Sequence, residues 1–216
     1  MNYRTFKLLV IICILAMQTS LYAQKESGKL NAKNELTNKI GLTFSSLGVN
    51  DIFGKSDVSD YSYEGKNFYT LGLTYIRGLN KWLEVETGLE YSRHNIDISP
   101  NIMPGENMFM RTQKTEMNLL NVPVTLRAKF LKYFFVNAGV LIDVDVSNSV
   151  YFENQTGFGG IVGAGLNYDF DFGLSVFLNP YIKAHSWIDV GTQQKVLEKG
   201  FRLGVAYDLP KILKKK

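Results

Sequence analysis

From Lys39 onward the chain alternates apolar and polar residues at period two in eight separate stretches, and no stretch sustains a helical period. A period of two places alternate side chains on opposite faces of a strand. The clearest case runs from Trp82 to Arg93, where Leu83, Val85, Thr87, Leu89 and Tyr91 share one face and Glu84, Glu86, Gly88, Glu90 and Ser92 share the other. The same reading puts Ile40, Leu42 and Phe44 on the apolar face of a first strand, and Tyr69, Leu71, Leu73 and Tyr75 on that of a second. A fourth sets Leu120, Val122, Val124 and Leu126 against Asn121, Thr125, Arg127 and Lys129, and a fifth sets Phe134, Val136, Val140 and Ile142 against Asn137, Asp143 and Asp145. The last three present Val162, Leu166 and Tyr168, then Leu174, Val176, Leu178 and Ile182, then Phe201, Leu203, Val205, Tyr207 and Leu209.

The connections alternate in length. Gly78 to Lys81, Leu131-Lys132 and Asp169 to Asp171 are short links, whereas Val49 to Asn67, Asn95 to Thr115, Ser147 to Thr156 and Ser186 to Glu198 are long. Short turns at one end and long loops at the other are the habit of outer-membrane barrels. Aromatic residues crowd the short links, among them Tyr75, Trp82, Phe130, Tyr133, Phe134, Phe170, Phe172 and Tyr207, as an interfacial girdle would. The expected fold is an all-β, eight-stranded antiparallel transmembrane up-and-down β-barrel over residues 39–209. A soluble barrel would have to bury eight long apolar faces in one core, and its charges would point outward.

The N-terminus agrees with export. Arg4 and Lys7 precede an apolar run from Leu8 to Met17 that ends near Ala23, the three-part plan of a secretory signal peptide. The run is about 10 residues, and a spanning helix takes roughly 20. We therefore expect a signal peptide over 1–23, a short periplasmic segment over 24–38, the barrel, and a basic tail over 210–216. The single cysteine, Cys13, lies inside the signal, so no disulfide or thiolate chemistry is expected in the mature chain. Cleavage takes Lys+Arg from 24 to 22 against 20 acids, a balance that asks for no nucleic-acid partner.

A strand that faces lipid on one side must turn its polar residues inward, because hydrocarbon offers them no partners. Strand parity then sends Glu84, Glu86, Glu90, Asp143, Asp145 and Asp208 into the barrel with Lys39, Arg127, Lys129, Lys183 and Arg202. An eight-stranded barrel holds little beyond side chains, so these charges are expected to pair in a network rather than line a channel or a proton relay. Pro123 and Pro180 lie within strand patterns and predict bulges or local breaks, since proline cannot donate to a ladder.

With the strands placed, Leu120-Asn-Val-Pro-Val-Thr-Leu-Arg-Ala-Lys129 and Phe135-Val-Asn-Ala-Gly139 resemble the outer-membrane β-barrel domain family common in Bacteroidetes, which includes the PorT-like proteins. Gly163-Ala-Gly165-Leu-Asn-Tyr168 and Gly204-Val-Ala-Tyr207 are similar to that family's glycine-then-aromatic strand endings. The resemblance implies the barrel fold. PorT-like members act in protein secretion and gliding, and no residue here separates that role from others in the family. The last strand also resembles the terminal recognition signal of outer-membrane barrels, with Gly204 and Tyr207 at two specified positions and Leu209 where an aromatic is usual.

The expected function is therefore non-enzymatic: an outer-membrane barrel with a filled polar interior that displays external loops. Its partners would be outer-membrane lipid, the barrel-assembly machinery during biogenesis, and a protein or surface met by the loops. An outer-membrane enzyme acting on lipid and a component of a protein-secretion system are the alternatives, and the enzyme would need a nucleophile beside a base. Glu90, Ser92 and His94 share one strand face, but neighbours two apart on a strand stand about 7 Å apart. His185 and Ser186 are expected on opposite faces. Two separated histidines and no mature cysteine offer no zinc-like spacing, and no cofactor is expected.

Overall fold

The computed structural model describes residues 37–54, 61–100, 112–147, 154–188 and 194–209. The expected signal peptide, almost all of the segment that follows it and the basic tail lie outside these residues. Eight strands follow one another in order: β1 (Asn38–Gly54), β2 (Tyr61–Gly78), β3 (Leu83–Pro100), β4 (Gln113–Phe130), β5 (Phe134–Asp145), β6 (Gly157–Asp169), β7 (Leu174–Ile188) and β8 (Gln194–Asp208). Each pairs antiparallel with its neighbours, and β1 pairs with β8 from Lys39↔Asp208 to Gly54↔Gln194, so the sheet closes into an up-and-down barrel. Closure leaves no edge strand in the ring.

At one end the links are tight. Leu131 and Lys132 both take positive φ (48° and 65°), as a two-residue hairpin between right-twisted strands requires, and Gly173 supplies φ 94° in the β6–β7 turn. At the other end the strands run further than their alternation in sequence implied. The segments expected as long links at 49–67 and 95–115 are largely strand, and the undescribed tips shrink to 55–60 and 101–111. β4 continues to Gln113, beyond its last register partner on β5 at Leu119↔Asp145.

These stretches do not read as continuations of the strands because the alternation inverts. Below Tyr91 the outer face of β3 is apolar and the inner face acidic. Above it, Arg93, Asn95, Asp97 and Ser99 continue the outer face, while Ile96 and Ile98 continue the inner face and are buried. β4 and β8 behave alike, with Met117, Leu119 and Val196 turned inward to join Ile96 and Ile98 in one apolar cluster, against which Ile52 and Tyr63 pack. The upper part of β3 thus carries polar side chains outside, and the barrel there closes around a hydrophobic plug.

The lower outer surface is the reverse. Leu42, Leu73, Leu89, Leu126, Val140, Val162 and Leu203 are each at least half exposed. An apolar surface of this extent on a lone water-soluble domain would be a liability. Around the turn end an aromatic belt is joined ring to ring: Tyr133 stacks on Tyr168 at 5.8 Å, Tyr168 meets Phe170 at 4.7 Å, and Phe170 meets Phe172 at 5.3 Å.

The prolines break ladders without bulging them. Pairing of β3 with β4 skips from Thr87↔Val124 to Glu90↔Asn121 at constant register beside Pro123, and pairing of β6 with β7 skips from Gly163↔Tyr181 to Leu166↔Leu178 beside Pro180. The register shifts lie elsewhere, at Ser45/Leu47, Gly65/Phe68 and Phe158/Gly160.

Candidate functional site

Three layers of side chains fill the lumen, from the turn end upward. In the first, Lys39 Nζ on β1 lies 2.5 Å from Asp169 Oδ1 and donates to Ser175 Oγ at 2.7 Å, and Lys129 Nζ on β4 lies 2.6 Å from Glu84 Oε1. Lys129 and Asp169 keep partial contact with solvent here, whereas Lys39 and Glu84 are buried. Asp208 is buried nearby, with Oδ1 lacking a hydrogen-bond partner.

The second layer is built on two arginines. Arg127 Nη1 stands 3.5 Å from Glu86 Oε2, and its guanidinium carbon lies 3.9 Å from the centroid of Phe135 and 4.8 Å from that of Phe177. Arg202 Nη2 stands 3.0 Å from Glu86 Oε1, and its Nη1 stands 3.4 Å from Glu90 Oε1. A planar cation between rings and carboxylates is the environment in which arginine replaces its hydration best. Phe135 and Phe177 add aromatic rings to an interior expected to be polar: both are buried inside, with Ile76 and Ala206 beside them. Glycine makes their room. The Phe177 ring occupies the place a Cβ on Gly204 would take, and Phe135 does the same at Gly165.

The third layer lies just beneath the apolar plug. Lys183 Nζ on β7 is 2.6 Å from Glu90 Oε2 and 3.7 Å from Glu198 Oε1, which also accepts from the Tyr181 hydroxyl. The remaining oxygen of Glu198, Oε2, stands 3.4 Å from His94 Nε2 and 3.4 Å from His185 Nε2. His185 Nδ1 faces Asp143 Oδ2 at 3.3 Å, and Asn121 Nδ2 donates to Asp143 Oδ1 at 2.5 Å. His94, His185, Glu198 and Lys183 have no solvent-accessible surface, so no water-sized space adjoins them.

Two histidines that stand 91 positions apart in sequence therefore meet edge to face, with ring centroids 5.6 Å apart. His185 follows the inward parity of Tyr181 and Lys183, in register with Val196 on β8, and the bulge just beyond it acts on Ser186. Pairing of β6 with β7 shifts between Phe158↔Ile188 and Gly160↔Ala184, Ser186 takes φ 47°, and both His185 and Ser186 end up inside rather than on opposite faces. Glu198, expected in a loop, continues the inner face of β8.

Asp145 is the exception among the expected inward charges. It is half-buried, and its carboxylate accepts from the backbone N–H of Ser147 and of Gln155, both at 2.8 Å, so it organises the β5–β6 connection. The Glu90, Ser92, His94 line does point inward, but Ser92 Oγ bonds Asn121 Oδ1 and Thr70 Oγ1, each at 2.9 Å, and neither ring nitrogen of His94 has a hydrogen-bond partner. No serine–histidine couple forms there.

No family model and no curated protein matches the chain. Solved structures do. The outer membrane protein OprG from Pseudomonas aeruginosa aligns at 13% identity and a TM-score of 0.49, covering 81% of this chain and 95% of that one. Ail, the attachment invasion locus protein of Yersinia pestis, solved with the heparin analogue sucrose octasulfate, aligns at 15% identity and a TM-score of 0.42, covering 82% and 99%. The translocator domain of autotransporter NalP from Neisseria meningitidis aligns at 10% identity and a TM-score of 0.35, covering 91% and 96%. The closed barrel described above stands on its own strand pairing rather than on these likenesses.

Of the remaining expected positions, Gly204 faces the lumen against Phe177, while Tyr207 lies on the outer face opposite Ile40 and Leu174 and is half-buried. Leu209 is half-buried one residue past the end of β8.

Proposed function

We propose that the protein is a closed, non-conducting outer-membrane barrel without enzymatic activity, whose work is done by the loops and strand tips it holds outside the bilayer. The observation that carries this reading is the inversion along β3 at Tyr91/Arg93: one strand presents leucines outward over its lower half and charges outward over its upper half. Such a change of outer solvent at one height is what a bilayer surface imposes. The apolar stretch from Leu83 to Tyr91 rises about 27 Å along the strand, and strand tilt brings this near the apolar band of outer-membrane barrels. The aromatic belt at the turn end would mark the inner interface, and Trp187 and Tyr91 the outer one. Signal-directed export, with cleavage near Ala23, fits the same destination.

Closure of the pore is supported by the absence of solvent-accessible surface on the side chains that cross the lumen. The apolar-Pro-apolar strand at Val122-Pro123-Val124 and the Gly163-Ala-Gly165 segment support kinship with the Bacteroidetes barrel family that includes PorT-like proteins. Barrel-assembly machinery is the partner the last strand implies, through Gly204, Tyr207 and Leu209.

Fractionation of cells and planar-bilayer recording test the proposal together. The mature chain, starting near Gln24, should sediment with outer membranes, and the purified protein should show no sustained conductance. Recovery as soluble periplasmic protein would reject the membrane reading, and stable porin-sized channels would reject closure.

A further inference from the structure

In the third luminal layer one buried side chain, His94, is left without a hydrogen bond. His94 is wholly buried, its ring stacks on Phe68 at 5.6 Å, and both of its nitrogens lack hydrogen-bond partners. A buried polar group in that state is costly unless something meets it. His185 directs Nδ1 at the Asp143 carboxylate, and in the tautomer with its proton there the Nε2 lone pair faces Glu198 Oε2. In that tautomer three acceptors, from His94, His185 and Glu198, lie within 4.8 Å of one another, around one point.

We propose that this point is a divalent transition-metal site, of the zinc class, formed by His94 on β3, His185 on β7 and Glu198 on β8. The donor atoms all lie within 4.8 Å of one another. Each histidine Nε2 is 3.4 Å from Glu198 Oε2, and about 3.4 Å is the edge of a tetrahedron whose bonds have the length of zinc to nitrogen or oxygen. Two imidazoles and one carboxylate are a ligand set that zinc accepts. Asp143 supplies the outer support that metal-bound histidines usually have, accepting from the ring nitrogen turned away from the metal, and Asn121 holds Asp143 in turn.

Charge balance points the same way. Among the described residues six carboxylates are buried, namely Glu84, Glu86, Glu90, Asp143, Glu198 and Asp208, against four buried lysine and arginine cations and the partly exposed Lys129 that pairs with Glu84. A divalent ion would supply the missing positive charge where it is needed, since Lys183 is the only one of those cations in contact with Glu198. The ion would tie β3 to β7, four strands away on the opposite wall, and its role would be to lock the barrel beneath the apolar plug. With no open path to the ligands, loading is expected during folding.

The experiment refolds the mature chain into detergent micelles with Co²⁺, with Zn²⁺, or with chelator alone, and confirms folding by heat-dependent gel mobility. One equivalent of Co²⁺ should be retained with the visible absorption of a tetrahedral ion, Zn²⁺ present during refolding should prevent it, and either metal should raise the melting temperature over the chelator sample. His94→Gln and His185→Gln should fold and lose both the absorption and the metal-dependent shift. Asp143→Asn should retain the ion with an affinity about 10- to 100-fold weaker. A folded wild-type protein without tetrahedral cobalt absorption would overturn the proposal, as would retention undiminished in both histidine variants. A proton shared among His94, His185 and Glu198 would instead give a melting temperature that follows pH and ignores metal.

Discussion

Lys183 Nζ on β7 lies 2.6 Å from Glu90 Oε2 on β3, an ion pair between diametrically opposite strands of an eight-stranded ring. It braces the barrel across its width. Glu90 also meets Arg202 at 3.4 Å, which in turn meets Glu86 at 3.0 Å, so the brace belongs to a connected chain of charges.

Removing one member should therefore strand another. Lys183→Met is expected to lower stability by about 3 kcal/mol in urea titrations of the micelle-refolded protein, because Glu90 and Glu198 lose a buried partner. Lys183→Met combined with Glu90→Leu should cost less than the two single changes added together. A single-variant loss under about 1 kcal/mol would mean that water screens the lumen.

The outer face gives a test at two heights on one strand. Leu89→Arg, in the apolar band, should cost about 2–4 kcal/mol in a lipid bilayer. Asn95→Arg, six residues further along the same face but above the inversion, should stay within about 0.5 kcal/mol of the parent. Equal costs would remove the argument for a bilayer surface at Tyr91/Arg93.

Inside the plug the expectation is that of any hydrophobic core. Met117 is fully buried against Ile96, Ile98 and Leu119, so Met117→Ala should cost about 2–5 kcal/mol by the same titration. A negligible loss would show that the upper sheet opens freely.

The positions of Glu84, Glu86, Glu90, Arg127, Lys183 and Arg202 follow from parity alone, because each is flanked by residues that hydrocarbon suits. Parity stopped being informative where the outer solvent changed. Arg93, Asn95, Asp97 and Ser99 keep the period of Leu83 to Tyr91 with the polarity reversed, and a reader who follows period rather than polarity would extend β3 and find Ile96 and Ile98 inside. Glu198 was hidden for the same reason, since Val196 is apolar on the inner face while Leu197 is apolar on the outer one. His185 shares the parity of Lys183 and was legible as inward-facing, whereas the bulge that turns Ser186 inward beside it carries no mark in the residue types around it. Phe135 and Phe177 had a faint signal in the glycines opposite them, Gly165 and Gly204.

That last contact changes what Gly204 can report. Any side chain there meets the Phe177 ring, 2.0 Å from where its Cβ would stand, and Phe177 is held by Arg127 and Phe135. Gly204→Val should lower folded-state stability in refolded protein, whatever its effect on insertion. Tyr207→Ala is the cleaner probe of an assembly signal: it should slow insertion in cells more than Leu174→Ala, its register partner on β7. Equal insertion rates for these two would leave Tyr207 with an interfacial role only.

The strands also differ in height. β1 to β4 have 17 or 18 residues and β5 has 12, and β4 runs about 20 Å of strand beyond its last partner on β5. Among the described residues the barrel wall is therefore a crescent, tallest from β1 through β4, that drops to a low sill at β5. A cylinder looks the same from every side, but a crescent has a front and a back. Neighbours drifting in the plane of a membrane would meet a different molecule according to the direction of approach, and labels at Asp97 and at Asn154 would sense contact from opposing quarters.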